Sequence, residues 1–390
     1  MERTAHVARH LAAAVAPTRV EDLRTPCCLV NLEVARANAA RMLQRAAALG
    51  CRLRPHVKTH KTVEGALLQT GGRRGRITVS TIAEAEWFAA RGFDDILYAV
   101  PITPDKLGAA AALLRAGVRL HVCVDHDAQL DAIVARARAD AASFAWSVVL
   151  MVDCGYHRDG VDPDSELALR LARRCADARG VELFGVYTHG GHSYDAASPS
   201  AIRRIAAAER DAVVGLAARV RAALPEVGAL PSVGVGSTPT AALPAEHLEG
   251  VTELHPGNYL FFDTTQASLG ACDRDREVAC RVLTRVVGHY ARSNTLLVDL
   301  GWTGCSAQGK ERGYGALVGE PNLKIVNLKQ EAGEITTVDG APIDYAHYPI
   351  GSFLELLPHH SCAAAHQHAS LFVVDDDDRV VAEWQRARGW

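Results

Sequence analysis

The chain has 390 residues, 48% apolar content and a formal net charge of −3. That length suits two domains, or one barrel with an added module. The near-neutral charge supplies no basic field for nucleic acid or an anionic membrane, and no apolar run reaches the ~18–20 residues of a membrane span.

The first 23 residues, MERTAHVARHLAAAVAPTRVEDL, contain acidic side chains and only a short apolar stretch. They are expected to be mature protein rather than a targeting segment. From about residue 30 to 260, short β-rich runs alternate with Ala/Leu/Arg-rich stretches of helical period. The runs are 52–58, 77–80, 95–100, 119–125, 146–153, 182–189, 232–236 and 251–255. Helical pattern fills 82–91, 104–116, 128–139 and 165–178. Several strands are almost continuously apolar, as when both faces of a parallel sheet are buried. Eight such units predict an α/β fold of the (β/α)8 TIM-barrel type, with a doubly wound sheet as the alternative.

After residue 270 the pattern changes. Apolar runs at 278–290, 295–300, 323–328, 335–338, 352–357 and 371–374 are separated by Gly, Pro, Asn and Asp, with almost no helical period. This predicts an all-β module, with the aspartates at 375–378 as a solvated turn between two strands. The domains expected are a barrel over 26–268 and a β domain formed by 1–25 and 269–390. Ten scattered cysteines without a CxxC pair suggest reduced, mostly buried thiols in a cytoplasmic protein.

Catalytic groups of a barrel sit at the C-terminal strand ends. The first expected strand ends in Arg54-Pro55-His56-Val57-Lys58-Thr59-His60-Lys61. Period-2 alternation would put Arg54, His56 and Lys58 on one face. A desolvated lysine at the mouth can form an imine with an aldehyde, and Lys58 is the better placed of two candidates, Lys61 being the other. After the fifth strand, Gly155 and Gly160 bracket Arg158, which could aim at a phenolate or carboxylate. After the sixth, His189 could stack on a flat cofactor, in a segment that also holds His192 and Tyr194. After the seventh, Gly236, Ser237 and Thr238 offer amides and hydroxyls to an anion, at the usual phosphate position of barrels. After the eighth, His255, Gly257, Asn258 and Tyr259 add amides and a phenol.

In the β module, His360 and Cys362 lie two residues apart. On a strand they would share a face and could bind one zinc while leaving positions open. The plainer alternative is a buried Cys beside a surface His, and His366 and His368 could simply be solvated.

Several motifs together resemble the fold-type III pyridoxal-phosphate (PLP) family, in particular the zinc-dependent D-serine dehydratases and their D-threonine aldolase relatives. They are Thr25-Pro26, PHVKTHKT at 55–62, VSTIAEAE at 79–86, DDILYAVP at 94–101, VDCGYHRDGV at 152–161, GSTPT at 236–240, ELHPGNY at 253–259, VDLGWT at 298–303 and LPHHSCAAA at 357–365. The likeness covers nearly the whole chain. A more distant likeness to alanine racemase shows in 152–161 and 255–257.

The resemblance implies an alanine-racemase-like barrel with Lys58 as the Schiff-base lysine, Arg158 on the cofactor's phenolate side and His189 against the ring. His56, Tyr194 and His255 would complete the pocket, and Gly236, Ser237, Thr238, Gly257, Asn258 and Tyr259 would serve the phosphate end. It further implies His360 and Cys362 as zinc ligands, a β domain over the barrel mouth and a homodimer. The implied activity is water elimination from a D-3-hydroxy amino acid, D-serine first. D-threonine aldolase and D-threo-3-hydroxyaspartate dehydratase chemistry are the alternatives. Ala332, where relatives carry histidine, and the loop at His192 depart from the family pattern and bear on substrate choice. A non-catalytic PLP carrier is the contrasting class, disfavoured because such barrels lack a C-terminal β domain.

Overall fold

The computed structural model describes residues 19–140 and 144–390. Residues 1–18, most of the segment expected to be mature protein, lie outside the described residues.

Strand β1 (Cys27–Asn31) leads into helix Leu32–Ala48. The Asn31 side chain caps that helix, accepting from Val34 N at 2.9 Å. Eight parallel strands follow: β2 (Arg52–Leu53), β3 (Ile77–Val79), β4 (Asp95–Pro101), β5 (Arg119–Val124), β6 (Trp146–Met151), β7 (Val181–Tyr187), β8 (Ser232–Val235) and β9 (Glu253–Leu254). Their order is β2-β9-β8-β7-β6-β5-β4-β3. The two ends of this row meet just beyond β2, where Thr78 N donates to Pro55 O at 2.8 Å and His56 bridges Thr78 in parallel. The sheet therefore closes into the predicted barrel, and the doubly wound alternative does not apply.

All eight expected runs contain a strand. Their apolar residues explain why: Ile77, Ile96, Leu120, Val122, Val148 and Leu150 are fully enclosed between the barrel interior and the surrounding helices. Each such side chain contributes roughly 1.5–3 kcal/mol. The helices after the strands begin on polar caps. Thr81 accepts from Glu84 N at 3.0 Å, and Ser165 and Ser198 act likewise on their own helices. No described helix is long and apolar enough to cross a membrane.

The second sheet holds β10 (Cys280–Tyr290), β11 (Thr295–Val298), β12 (Gly315–Leu317), β13 (Leu323–Leu328), β14 (Gly333–Thr337), β15 (Phe353–Pro358), β16 (Ser370–Val374) and β17 (Val380–Gln385). Its order is β13-β14-β11-β10-β1-β16-β17, with β15 also on β10 and β12 on β15. Thus β1 belongs by its hydrogen bonds to this sheet, antiparallel to β10 and parallel to β16. The aspartates at 375–378 do sit in the turn between β16 and β17. Helix is less scarce here than expected, since Trp302–Cys305 and Ser361–Gln367 are both helical. All ten cysteines are free, seven of them buried.

The β domain reaches the barrel at its mouth. Arg386, buried, donates from Nε to His60 O at 2.9 Å, and Ala387 N donates to Lys61 O at 2.8 Å.

Candidate active site

A cavity of about 870 Å³ opens where the β domain meets the C-terminal strand ends. The turn after β2 supplies His56, Lys58 and Lys61, and the later barrel loops supply His189, Tyr194, Ser237, Thr238, His255, Gly257 and Asn258. The β domain supplies Gln308, Arg312, His359, His360 and Cys362.

Lys58 does not lie on a strand. Strand β2 stops at Leu53, and Lys58 sits in the 3-10 turn Val57–Thr59. The alternation expected for Arg54, His56 and Lys58 therefore breaks. Arg54 points to the opposite end of the barrel, where it pairs with Asp95 at 2.5 Å and Glu253 at 3.0 Å. Lys58 is enclosed by protein except toward the cavity, and this burial lowers its pKa; nearby Cys362 raises it and Arg158 lowers it further. The rival lysine, Lys61, is tied to Glu84 by a 2.7 Å ion pair, whereas Lys58 forms none among the described residues. His60 is structural, held by Thr62 and Gln69 at 3.0 Å each.

Two imidazoles flank Lys58. His56 Nε2 contacts Ser80 Oγ at 3.2 Å, and burial and then Lys58 hold its pKa well below the usual value. His189 Nδ1 donates to Gly236 O at 2.7 Å, which fixes the ring; burial and Lys58 push its pKa down to about 3. His255 lies deeper, contacting Thr78 Oγ1 at 3.2 Å, and burial lowers it to about 3. Both His56 and His189 are thus neutral beside a lysine.

The hydroxyl-rich end has its own order. Ser237 Oγ caps helix Thr238–Ala242 and touches Ser193 Oγ at 2.8 Å. Gly257 N donates to Thr238 Oγ1 at 3.3 Å. Gly190 N donates to the buried Glu209 Oε1 at 2.5 Å; burial pushes that carboxyl up to about 7. A Cβ on Gly257 would stand 2.6 Å from His56 O, and one on Gly236 would stand 2.9 Å from His255 N. Only glycine lets these backbones come so close to the cavity wall. Burial raises the pKa of Tyr194, which lines the same end.

Two predicted residues stand elsewhere. Arg158 is exposed, bonded to Asp159 at 3.2 Å and stacked on Tyr156, outside the cavity lining. Tyr259 is fully buried behind the wall. Asp153 accepts from Gly155 N and His157 N, which shapes the loop carrying Arg158, while Tyr259 falls inside the 3-10 turn Asn258–Leu260.

His360 and Cys362 meet, though not on a strand. His360 is the N-cap of helix Ser361–Gln367 and Cys362 is its second residue. Burial alone would lower the His360 pKa, but the Cys362 sulfur raises it to about 9. Burial alone would raise Cys362, but His360 lowers it to about 7. His360 Nδ1 is bonded to Gln308 Oε1 at 2.7 Å, and the imidazole also faces the Cys362 sulfur. His368 donates to Gly304 O at 2.7 Å and His366 lines the cavity, so neither is a solvated tail.

The donor chemistry fits both expected groups. A flat phosphorylated aldehyde would find an unpaired lysine, neutral imidazoles and a glycine-and-hydroxyl end in one cavity. An imidazole nitrogen beside a thiolate suits a borderline-soft metal ion with positions left open. Among the described residues no group of three or more His, Cys, Asp and Glu forms a closed metal cage.

Sequence reasoning missed the wall formed by Gln308, Arg312, His359 and Trp390. These come from separate segments of the β domain and carry no local motif.

The alanine racemase N-terminal domain model matches residues 30–265 and a serine dehydratase domain model matches 279–374. The chain is 40% identical to D-threo-3-hydroxyaspartate dehydratase of Delftia sp. (strain HT23), across 94% of this chain and 98% of that one. It is 35% identical to D-serine dehydratase of Dictyostelium discoideum, across 95% and 98%. The solved Delftia sp. HT23 dehydratase superposes with a TM-score of 0.89 at 39% identity, covering 96% of this chain and all of that one. The chain therefore belongs to the PLP-dependent fold-type III family that joins an alanine-racemase-like barrel to a serine dehydratase domain.

Proposed function

We propose that this protein is a PLP- and zinc-dependent carbon–oxygen lyase that removes water from a D-3-hydroxy amino acid, converting D-serine to pyruvate and ammonia. One observation carries this reading: Lys58 and the His360–Cys362 pair, from different domains, line the same cavity. A solved D-threo-3-hydroxyaspartate dehydratase with a cysteine-to-alanine change is in a metal-free form, which supports a metal site in that relative.

When bound, PLP supplies an aldehyde and an electron-accepting ring, and zinc supplies a Lewis acid for the poorly leaving hydroxyl. Lys58 Nζ, its pKa lowered, removes the α-proton. His189 would lie against the ring; Gly236 O fixes its Nδ1 side, and burial and Lys58 keep the imidazole neutral. Gly236, Ser237, Thr238, Gly257 and Asn258 bound the phosphate end, with Tyr194 and His56 completing the walls. His360 and Cys362 would hold the metal. Arg158 and Tyr259 are left out of the contact set. The enamine left after loss of water takes up one water and gives pyruvate and ammonia, so D-serine is converted with no net change in water.

A second reading keeps the site but takes D-threo-3-hydroxyaspartate. Arg312 favours it: this cation lines the cavity and could receive a second carboxylate. Retro-aldol cleavage of D-threonine is the third. One panel separates them: D-serine, D-threonine and D-threo-3-hydroxyaspartate, each assayed for keto acid, ammonia and aldehyde with and without chelator. Pyruvate and ammonia from D-serine, lost on chelation, are expected. Acetaldehyde from D-threonine with little pyruvate would overturn the assignment.

The matched segments, ending at 265 and beginning at 279, support a domain division near 268/269. Ten free thiols support a reducing compartment such as the cytoplasm. A homodimer is the proposed assembly, checked by sedimentation.

A further inference from the structure

We propose that Thr59 and Asn258 are positioning residues for Cys362, donating hydrogen bonds from the barrel to the sulfur that holds the metal. This rests on the reading of Cys362 as a metal ligand.

The contacts are specific. Thr59 Oγ1 lies 3.1 Å from Cys362 Sγ, and Asn258 Nδ2 lies 3.4 Å from it. Both partners are almost fully buried, at 0% and 3% exposure, so water does not compete for them. A thiolate has no proton and can only accept. The Thr59 hydroxyl must then donate, as the Asn258 amide already does. Both donors belong to the barrel and the sulfur to the β domain. Thr59 also follows Lys58 directly, so one turn carries the cofactor's lysine and a support for the metal's sulfur.

A second set of bonds fixes the segment that carries His360 and Cys362. Asp263 Oδ2 accepts from Asn258 Nδ2 at 2.8 Å and from Ser361 N at 3.0 Å. Asn258 Nδ2 also lies 2.9 Å from Ser361 Oγ, so its two hydrogens are shared among Asp263, Ser361 and Cys362. The residue between the two proposed ligands is therefore bolted to the barrel. Partners of this kind set a ligand's direction and its electron donation, and losing one typically lowers metal affinity about 10–100-fold.

The test uses the full-length protein, stripped of metal and reloaded with Co²⁺, whose sulfur-to-metal charge-transfer band reports on the thiolate. Thr59→Val keeps the shape and removes the donor. It should move the band to lower energy, because the sulfur becomes a stronger electron donor, and weaken Co²⁺ binding about 10–100-fold. Thr59→Ser should restore both. If Thr59→Val unfolds the chain, Thr59→Ala is read in the same way. An unchanged band and affinity in the donor-less variant overturns this inference and leaves the ligand assignment standing. Cys362→Ala is the control: if it keeps the band, or if the unaltered protein shows none, the ligand assignment itself fails and this inference with it.

Discussion

The two ends of the barrel interior are both polar and buried, yet they are built on opposite principles. At the N-terminal end every charge has an answer. Arg54 is 1% exposed and lies between Asp95 and Glu253; His121 bonds Asp95 at 3.2 Å and Ser147 at 2.7 Å; Ser232 donates to Glu253 at 2.8 Å. At the C-terminal end Lys58, His56 and His189 crowd together, and burial together with Lys58 depresses the protonation of both imidazoles. Buried charge that is fully paired holds a fold together, and buried basic groups left facing a cavity await an anionic partner.

The sharpest break of that contrast is Lys58→Ala. Turnover should fall by about 10³-fold or more. The visible absorbance of the bound cofactor and its borohydride-fixed label at residue 58 should vanish, while the denaturant midpoint stays put. A label found on Lys61 would refute the assignment.

The matching change at the closed end is Arg54→Met. It strands two buried carboxylates and should cost about 3–5 kcal/mol in urea unfolding, with turnover per folded molecule little altered. Lost activity at unchanged stability would erase the distinction.

The same network predicts an acid limb. Burial alone would raise Glu253, but Arg54, His255 and Ser232 hold it at about 2, against an ordinary 4.5; Asp95 is held well below 3.8, by His121 and Arg54 against burial. Because these folded-state values are depressed, the stabilisation is complete above about pH 4.5 and is lost as pH falls toward 2. Unfolding free energy measured across that range should drop steeply in the unaltered protein and more gently in Arg54→Met.

The mildest change is His189→Asn. Asparagine can keep the bond to Gly236 O but loses the ring face, so cofactor affinity should fall about 2- to 10-fold by equilibrium titration. No change would argue that the ring does not stack.

The barrel was legible because its strands are enclosed on both faces, which leaves uninterrupted apolar runs between capped helices. The site was legible where one motif meets one strand end, as at Lys58 and His189. Two errors have physical causes. Arg54, His56 and Lys58 alternate in sequence, but the strand stops before Pro55 and sends Arg54 the other way. His360 and Cys362 imitate strand spacing, yet Cys-Ala-Ala-Ala-His-Gln follows Ser361, and its alanines favour helix. The run Cys27–Asn31 gave no hint of which sheet it joins, since an apolar strand looks the same in either.

That strand also constrains the order in which the chain can assemble. Strands β2 to β9 come from one unbroken stretch and can close as soon as they have left the ribosome. Strand β1 precedes them all, yet Val30 pairs with Cys280 and Leu29 with Phe372. It is made early and must wait through some 250 further residues for its first neighbour. During synthesis it is a bare, apolar edge tethered to a finished barrel, the kind of segment that invites mispairing. The sequence-distant pairing that anchors the second domain is thus a vulnerability of the nascent protein.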